Sequence, residues 1–289
     1  MNWHSLIFII VYILLAPFIG GLLDGMDRKI SARMQRRVGP PLLQPFYDVA
    51  KLLKKQNIAV ATSQTFLLLT YFVLMVVTGA MFFGGSDLLM CFFVMSTSAI
   101  FLYFAGVVTS SPYSTIGAQR ELIQMMAYEP AVLLTCVGFY LAAGTFNVNE
   151  IASHDISYIA YLPGFFLSFV FILTIKMRKS PFDTSTSHHM HQELVKGLTT
   201  EMGARNLAIF QITEWYENVF LMGVIGLFII NSNPWSILAT VLVILAVYFL
   251  EILIDNTSAR MKWQKMLQLS WIITLFASGM NLIILMIRK

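Results

Sequence analysis

Eight apolar runs, each about as long as a bilayer is thick, leave this sequence little to become except a bundle of membrane-crossing helices. A lipid-spanning helix needs about 20 predominantly apolar residues. Runs of that kind fall at roughly 5–24, 64–84, 88–109, 119–143, 160–178, 206–229, 235–254 and 266–287, the fourth and sixth being the least apolar. Inside lipid every backbone polar group needs an internal partner, which such runs obtain as helices. Composition agrees, with 57% hydrophobic and 12% charged residues, where a soluble domain carries roughly 25% charged. A soluble protein with an oversized core does not fit, because it would need surface charge that this chain lacks.

The distribution of Lys and Arg sets an orientation. Of the 19 such residues, 16 fall in the connections at 25–63, 176–205 and 255–265, a seventeenth, Arg120, stands beside the connection at 110–119, and only Arg288 and Lys289 lie on the other side. Positive charge marks cytoplasmic loops, so both termini are expected outside the cytoplasm. The first twenty residues lack a basic start and a clear small-residue cleavage site, and read as a retained helix rather than a signal peptide. Cys91 and Cys136 sit far apart within apolar runs, with no CxxC. They read as buried small side chains, and no iron–sulfur or nickel centre is expected on thiolates of this chain. Without repeats, linkers or low-complexity stretches, residues 1–289 read as a single transmembrane domain.

The cytoplasmic connections carry more information than the spans. Over 42–55, Leu42, Leu43, Phe46, Val49, Ala50 and Leu53 share one helical arc of about 120°. Tyr47, Asp48, Lys51, Lys54 and Lys55 take the other side, the pattern of an interfacial helix whose lysines meet headgroups or a partner. Just before it, Arg36-Arg37-Val38-Gly39-Pro40-Pro41 stiffens and redirects the chain, which suits the docking of a soluble protein. The loop near 179–205 carries Asp183, His188, His189, His191, Glu193 and Glu201. Adjacent histidines on a helix diverge by about 100°, so HHxH is read as polar loop chemistry rather than a metal site.

Ionisable residues inside spans are costly unless they face a wet or polar interior. The fourth segment holds Glu121, Gln124, Tyr128 and Glu129, the last followed by Pro130, which frees a carbonyl one turn back. The sixth holds Gln211, Glu214, Glu217 and Asn218 within an arc of about 120°. The seventh ends in Glu251 and Asp255. Polar glue between helices normally uses Ser, Thr, Asn or Gln. Repeated glutamates favour a proton or ion path, since a carboxyl held away from water can exchange a proton near neutrality.

Three of these stretches resemble a known family. The run from Arg33 through Arg36-Arg37-Val-Gly-Pro-Pro and Asp48 to Lys55 resembles the signature loop of the complex I membrane subunit that borders the quinone chamber. Gly117-Ala-Gln-Arg120-Glu121 through Tyr128-Glu129 resembles that family's fourth-helix motif. Pro181-Phe182-Asp183, with Glu193-Leu194, Gly197 and Glu201, resembles its third cytoplasmic loop. One departure stands out: complex I members carry a compact acidic run after the PFD, whereas this chain reads Thr184-Ser-Thr-Ser-His188-His189-Met-His191-Gln192. That interval, with Ile212-Thr-Glu214-Trp-Tyr-Glu217, is similar to the membrane subunit of Ech-type energy-converting nickel–iron hydrogenases. It counts against complex I's extended quinone machinery.

The resemblance implies an all-α inner-membrane protein of eight spans plus one interfacial helix. It implies no redox centre or cofactor in this chain, with nickel–iron and iron–sulfur centres in hydrogenase large and small subunits and a ferredoxin-like subunit. An antiporter-like membrane subunit and lipid would be further partners, with no nucleic acid. On this resemblance, the chain would anchor the soluble arm and couple ferredoxin oxidation and proton reduction to H⁺ or Na⁺ translocation. Glu129, Glu193, Glu201, Glu214 and Glu217, with Glu121, would form the proton-linked route. Arg36, Arg37, Asp48, Lys51 and Asp183 would form the arm-docking surface. The alternatives are the equivalent subunit of a formate hydrogenlyase or quinone-reducing complex I, and, in another class, a stand-alone ion transporter.

Overall fold

A computed structural model of the chain describes residues 3–56, 62–187 and 193–288. The described residues are helical apart from turns, loops and isolated bridges. The helices are α1 (Trp3–Met34), α2 (Gln44–Lys54), α3 (Thr62–Phe83), α4 (Leu88–Val107), α5 (Pro112–Ala143), α6 (Val148–Ala152), α7 (Pro163–Lys176), α8 (Ala204–Leu227), α9 (Trp235–Thr257), α10 (Trp263–Ile273) and α11 (Gly279–Arg288). A five-residue π-helical stretch, Thr274–Ser278, joins α10 to α11.

Every expected apolar run coincides with a helix, but the helices do not all have the expected extent. Six are long and apolar enough to cross a membrane: α1, α3, α4, α5, α9 and the continuous α10–α11 unit. The apolar α7 has only 14 residues, about 21 Å at 1.5 Å per residue. α8 has length enough, but its first fourteen residues carry Arg205, Glu214 and Glu217. α1 continues past 24 to Met34, and α5 begins at Pro112. Parts of the supposed loops 25–63 and 110–119 are therefore helix.

Local chemistry places the ends. Asp87 caps α4, accepting from the amides of Leu89 (2.9 Å) and Met90 (3.3 Å). Prolines open α5 and α7, where a missing N–H costs nothing. α3 closes with Gly85 in the left-handed region, φ 79°, the usual residue for that place. α1 and α7 close the same way on arginines instead, Arg36 (φ 57°) and Arg178 (φ 53°). Past α7 the Arg178 amide donates to Ile175 and the Lys179 amide to Thr174, which ties off the last turn and swings the chain back into the bundle.

The bundle has two unlike ends. One is aromatic: Phe92, Phe139, Phe165, Phe169, Phe220 and Phe228 are all buried, with Phe139 and Phe228 ring centroids 4.7 Å apart. The other is charged. The segment 179–187 that follows α7, read from the sequence as the start of a cytoplasmic loop, is buried at every position. Its backbone is satisfied by short pairings: Met261 N to Pro181 O (2.7 Å), Lys196 N to Ser187 O (2.9 Å) and Leu198 N to Ser185 O (3.2 Å). Gly117 of α5 admits this plug, since a Cβ there would lie 2.3 Å from the Leu198 amide nitrogen.

α2 is amphipathic, yet it faces differently from the expected arc. Phe46, Val49 and Leu52 pack against Ala208, Ile212 and Trp215 of α8. Leu42, Leu43, Ala50 and Leu53 are left exposed. The packing partner, invisible to a helical wheel, chose the face.

Candidate functional site

The site is built on the turn that closes α7. Within four residues this turn carries Lys176, Arg178 and Lys179, and together they reach acids on α1, α5, α8 and α9. Lys176 Nζ lies 2.5 Å from Glu217 of α8 and 4.3 Å from the centre of the Tyr128 ring of α5. Glu217 also accepts from Tyr71 of α3 at 3.4 Å. Arg178 pairs with Glu214 of α8 and, at 3.5 Å, with Glu121 of α5, which also accepts from the Ser185 hydroxyl in the plug. Lys179 pairs with Asp27 of α1 and lies 3.9 Å from Asp255 of α9. The Lys176, Arg178 and Lys179 side chains are at most 10% exposed, so these are buried pairs. Breaking one by removing a partner costs about 3–5 kcal/mol, because the other charge is then stranded. This explains an arginine where glycine is usual at the end of α7: the position has to supply a guanidinium.

A cavity of about 630 Å³ opens beside this turn. Its walls carry six acids (Asp24, Asp27, Asp48, Glu214, Glu217, Asp255) and six bases (Arg28, Arg37, Lys176, Arg178, Lys179, Lys196). The balance gives fixed charge of both signs with little net charge, a lining that suits ordered water and mobile protons. Arg28 ties its mouth together, bonding Asp24 at 3.1 Å and Asp48 of α2 at 2.7 Å.

A second cluster lies on the plug. Glu193 pairs with Arg120 at 2.6 Å and Arg260 at 3.3 Å, and Arg260 also holds Asp183 at 2.9 Å. Asp183 accepts from the Glu193 amide at 3.1 Å and is only 2% exposed. Assigned by resemblance to the docking surface, its carboxylate is turned inward and fastens the loop to the α9–α10 connection.

The structure gathers the route residues unequally. Glu121, Glu214 and Glu217 converge on the α7 turn. Glu193 belongs to the second cluster. Glu129 is half-buried on α5 beside Pro130, and Glu201 is half-buried after the plug. Among the described residues, no hydrogen bond or ion pair joins either of them to the chamber. Of the docking set, Arg36, Arg37 and Lys51 are exposed, and Asp48 is held by Arg28 and by Gln44 at 2.9 Å. His188, His189 and His191 lie outside the described residues.

Sequence reasoning missed Asp24, Asp27 and the α7 turn itself. Lys176, Arg178 and Lys179 served there only as markers of the cytoplasmic side. Their readable signal was three cations within four residues at the end of an apolar run, with unpaired acids on the neighbouring segments.

An all-helical, multi-pass membrane protein with a charged interior chamber at one end is thus the class that fold and site define. The family described as NADH dehydrogenase matches residues 6–286, and the chain belongs to that family. It is 26% identical to hydrogenase-4 component C of Escherichia coli K12 over 296 residues, covering 91% of this chain and 89% of that one. It is 31% identical to NADH-ubiquinone oxidoreductase chain 1 of Dictyostelium citrinum, covering 78% and 77% of the two chains. A subunit of the NADH-quinone oxidoreductase of Aquifex aeolicus is 26% identical, covering 96% and 94%. Among solved structures, a chain of the membrane-bound sulfane sulfur reductase, an archaeal respiratory membrane complex, shares the fold. Its TM-score is 0.82 at 22% identity, over 96% of this chain and 99% of that one.

Proposed function

We propose that this chain is the membrane subunit of a complex I-like energy-converting hydrogenase. It anchors a soluble nickel–iron and iron–sulfur arm and couples ferredoxin oxidation with proton reduction to H⁺ or Na⁺ translocation, holding no redox centre itself. Its partners are then hydrogenase large and small subunits, a ferredoxin-like iron–sulfur subunit and an antiporter-like membrane subunit. In this reading α7 and α8 complete eight crossings of the cell's inner membrane. Residues 1–289 form one membrane domain, both termini lie outside the cytoplasm, and the chamber opens toward it. The observation that carries the reading is the chamber, where three buried cations link acids on α1, α5, α8 and α9. Such a network responds to a charge change at its mouth by moving protons or re-pairing ions, which is what coupling to a docked redox arm requires. The likeness to a hydrogenase-4 component supports hydrogen as the arm's product.

The relatives named as NADH-quinone and NADH-ubiquinone oxidoreductase subunits favour a second reading, quinone reduction at the same chamber. Gentle solubilisation, capture of this chain, and assay for nickel and ferredoxin-dependent hydrogen evolution separates the two. Nickel with hydrogen evolution is the expected result. Quinone reductase activity without nickel would replace the first reading by the second, and a chain captured alone would point to a stand-alone transporter.

A further inference from the structure

Behind the chamber wall sits an acid that the network above does not use. Glu251 of α9 is 0% exposed, and neither carboxyl oxygen has a hydrogen-bond partner among the described residues. On its own helix it neighbours Asp255, one turn on, and Tyr248, whose hydroxyl donates to the Leu23 carbonyl of α1 at 2.8 Å. α1 brings Asp27, and Asp24 held by Arg28; the α7 turn brings Lys179. On α8 the acids Glu214 and Glu217 are held by Arg178 and Lys176. Lys179, the cation of this corner, is engaged with Asp27 and Asp255. A bare carboxylate at Glu251 would be a buried charge without a hydrogen bond, which is costly, whereas a neutral carboxylic acid is tolerated.

We propose that Glu251 is a proton-loading site on a branch separate from Glu121, Glu214 and Glu217, reached from the chamber through Asp27 and Lys179. Asp27, Lys179, Tyr248 and Asp255 line the chamber, and Glu251, outside that lining, sits one turn from both Tyr248 and Asp255 on α9. When Glu251 holds a proton, Lys179 pairs with Asp27 and Asp255, the arrangement seen. When Glu251 gives the proton up, its O–H bond breaks, one forms on a chamber acceptor, and Lys179 turns to the new carboxylate. No electron moves in this step.

The test uses the assembled complex in its membrane. Glu251→Gln keeps the size and hydrogen-bonding character of the neutral acid, so it preserves a packing role and removes the exchangeable proton. The infrared carbonyl band of a buried, protonated carboxylic acid should be present in the wild type, shift in heavy water and disappear in Glu251→Gln. Ion translocation per redox turnover should be lost in Glu251→Gln and partly restored in Glu251→Asp, with the arm's turnover retained. An unchanged infrared spectrum, full translocation in Glu251→Gln, or failure of that variant to assemble would overturn the proposal, the last by showing that the fold needs the charged form. The translocating role rests on the function proposed above. A wild-type complex that moves no ion would sink that function, while the infrared comparison would still decide whether Glu251 carries the proton.

Discussion

The two halves of α8 belong to different kinds of protein interior. From Gln211 to Asn218 the helix presents acids and amides to a charged chamber; from Phe220 to Leu227 it is packed among aromatic rings. α5 changes in the same way, from Glu121 and Tyr128 at one end to Phe139 at the other. The aromatic end is held by area and shape, which many residue combinations supply. The charged end is held by specific pairs, and losing a group that has no second partner strands the charge left behind. A bundle built for stability alone has little need of the second kind, and this contrast is the ground on which the charged end is proposed as the functional one.

Substitutions at either end should therefore fail differently. Lys176→Ala strands Glu217 and Phe228→Ala opens a cavity among Phe139, Phe166 and Phe169. Each should destabilise by about 3–5 kcal/mol, read as a lower unfolding temperature of the purified complex. Only Lys176→Ala should also abolish ion translocation per assembled complex; equal losses in both would erase the contrast. Glu129→Gln should leave the arm bound and lower translocation on the order of a hundredfold, as for a lost proton-transfer group. Wild-type gradient formation in that variant would remove Glu129 from the route.

Gly117→Ala tests the plug, because the added methyl meets the Leu198 backbone. A destabilisation of about 1–3 kcal/mol is expected for such overpacking, detected as faster proteolysis near 193–201. The smallest effect belongs to Arg36→Ala with Arg37→Ala. Both side chains are exposed, and exposed pairs contribute about 0.2–1 kcal/mol each. Arm retention should fall modestly and more steeply at raised ionic strength. Retention that is unchanged across salt would confine both residues to supporting the loop.

The apolar runs made the helices legible, since lipid leaves no other solution for them. The acidic face of α8 was legible too, because Gln211, Glu214, Glu217 and Asn218 share one arc wherever the helix packs. The partners of those acids were not. Lys176, Arg178 and Lys179 look like ordinary flanking charges until the left-handed turn at Arg178 folds them inward, a three-dimensional event with no local sequence mark. The α2 face was misread for a related reason. Its Leu53 is as apolar as Val49, and only the position of Trp215 decides which is covered.

In this reading the charged end couples and the aromatic end supports. This division of roles is tested most directly by Glu121→Gln in the complex reconstituted into liposomes, with hydrogen evolution and the ion gradient recorded together. Arg178 keeps Glu214 as a partner in this variant, so the fold should survive. Hydrogen evolution should stay near the wild-type rate with the gradient largely gone. A gradient that still rises in proportion to hydrogen evolved would show that the network around Arg178 holds the bundle together and does no coupling.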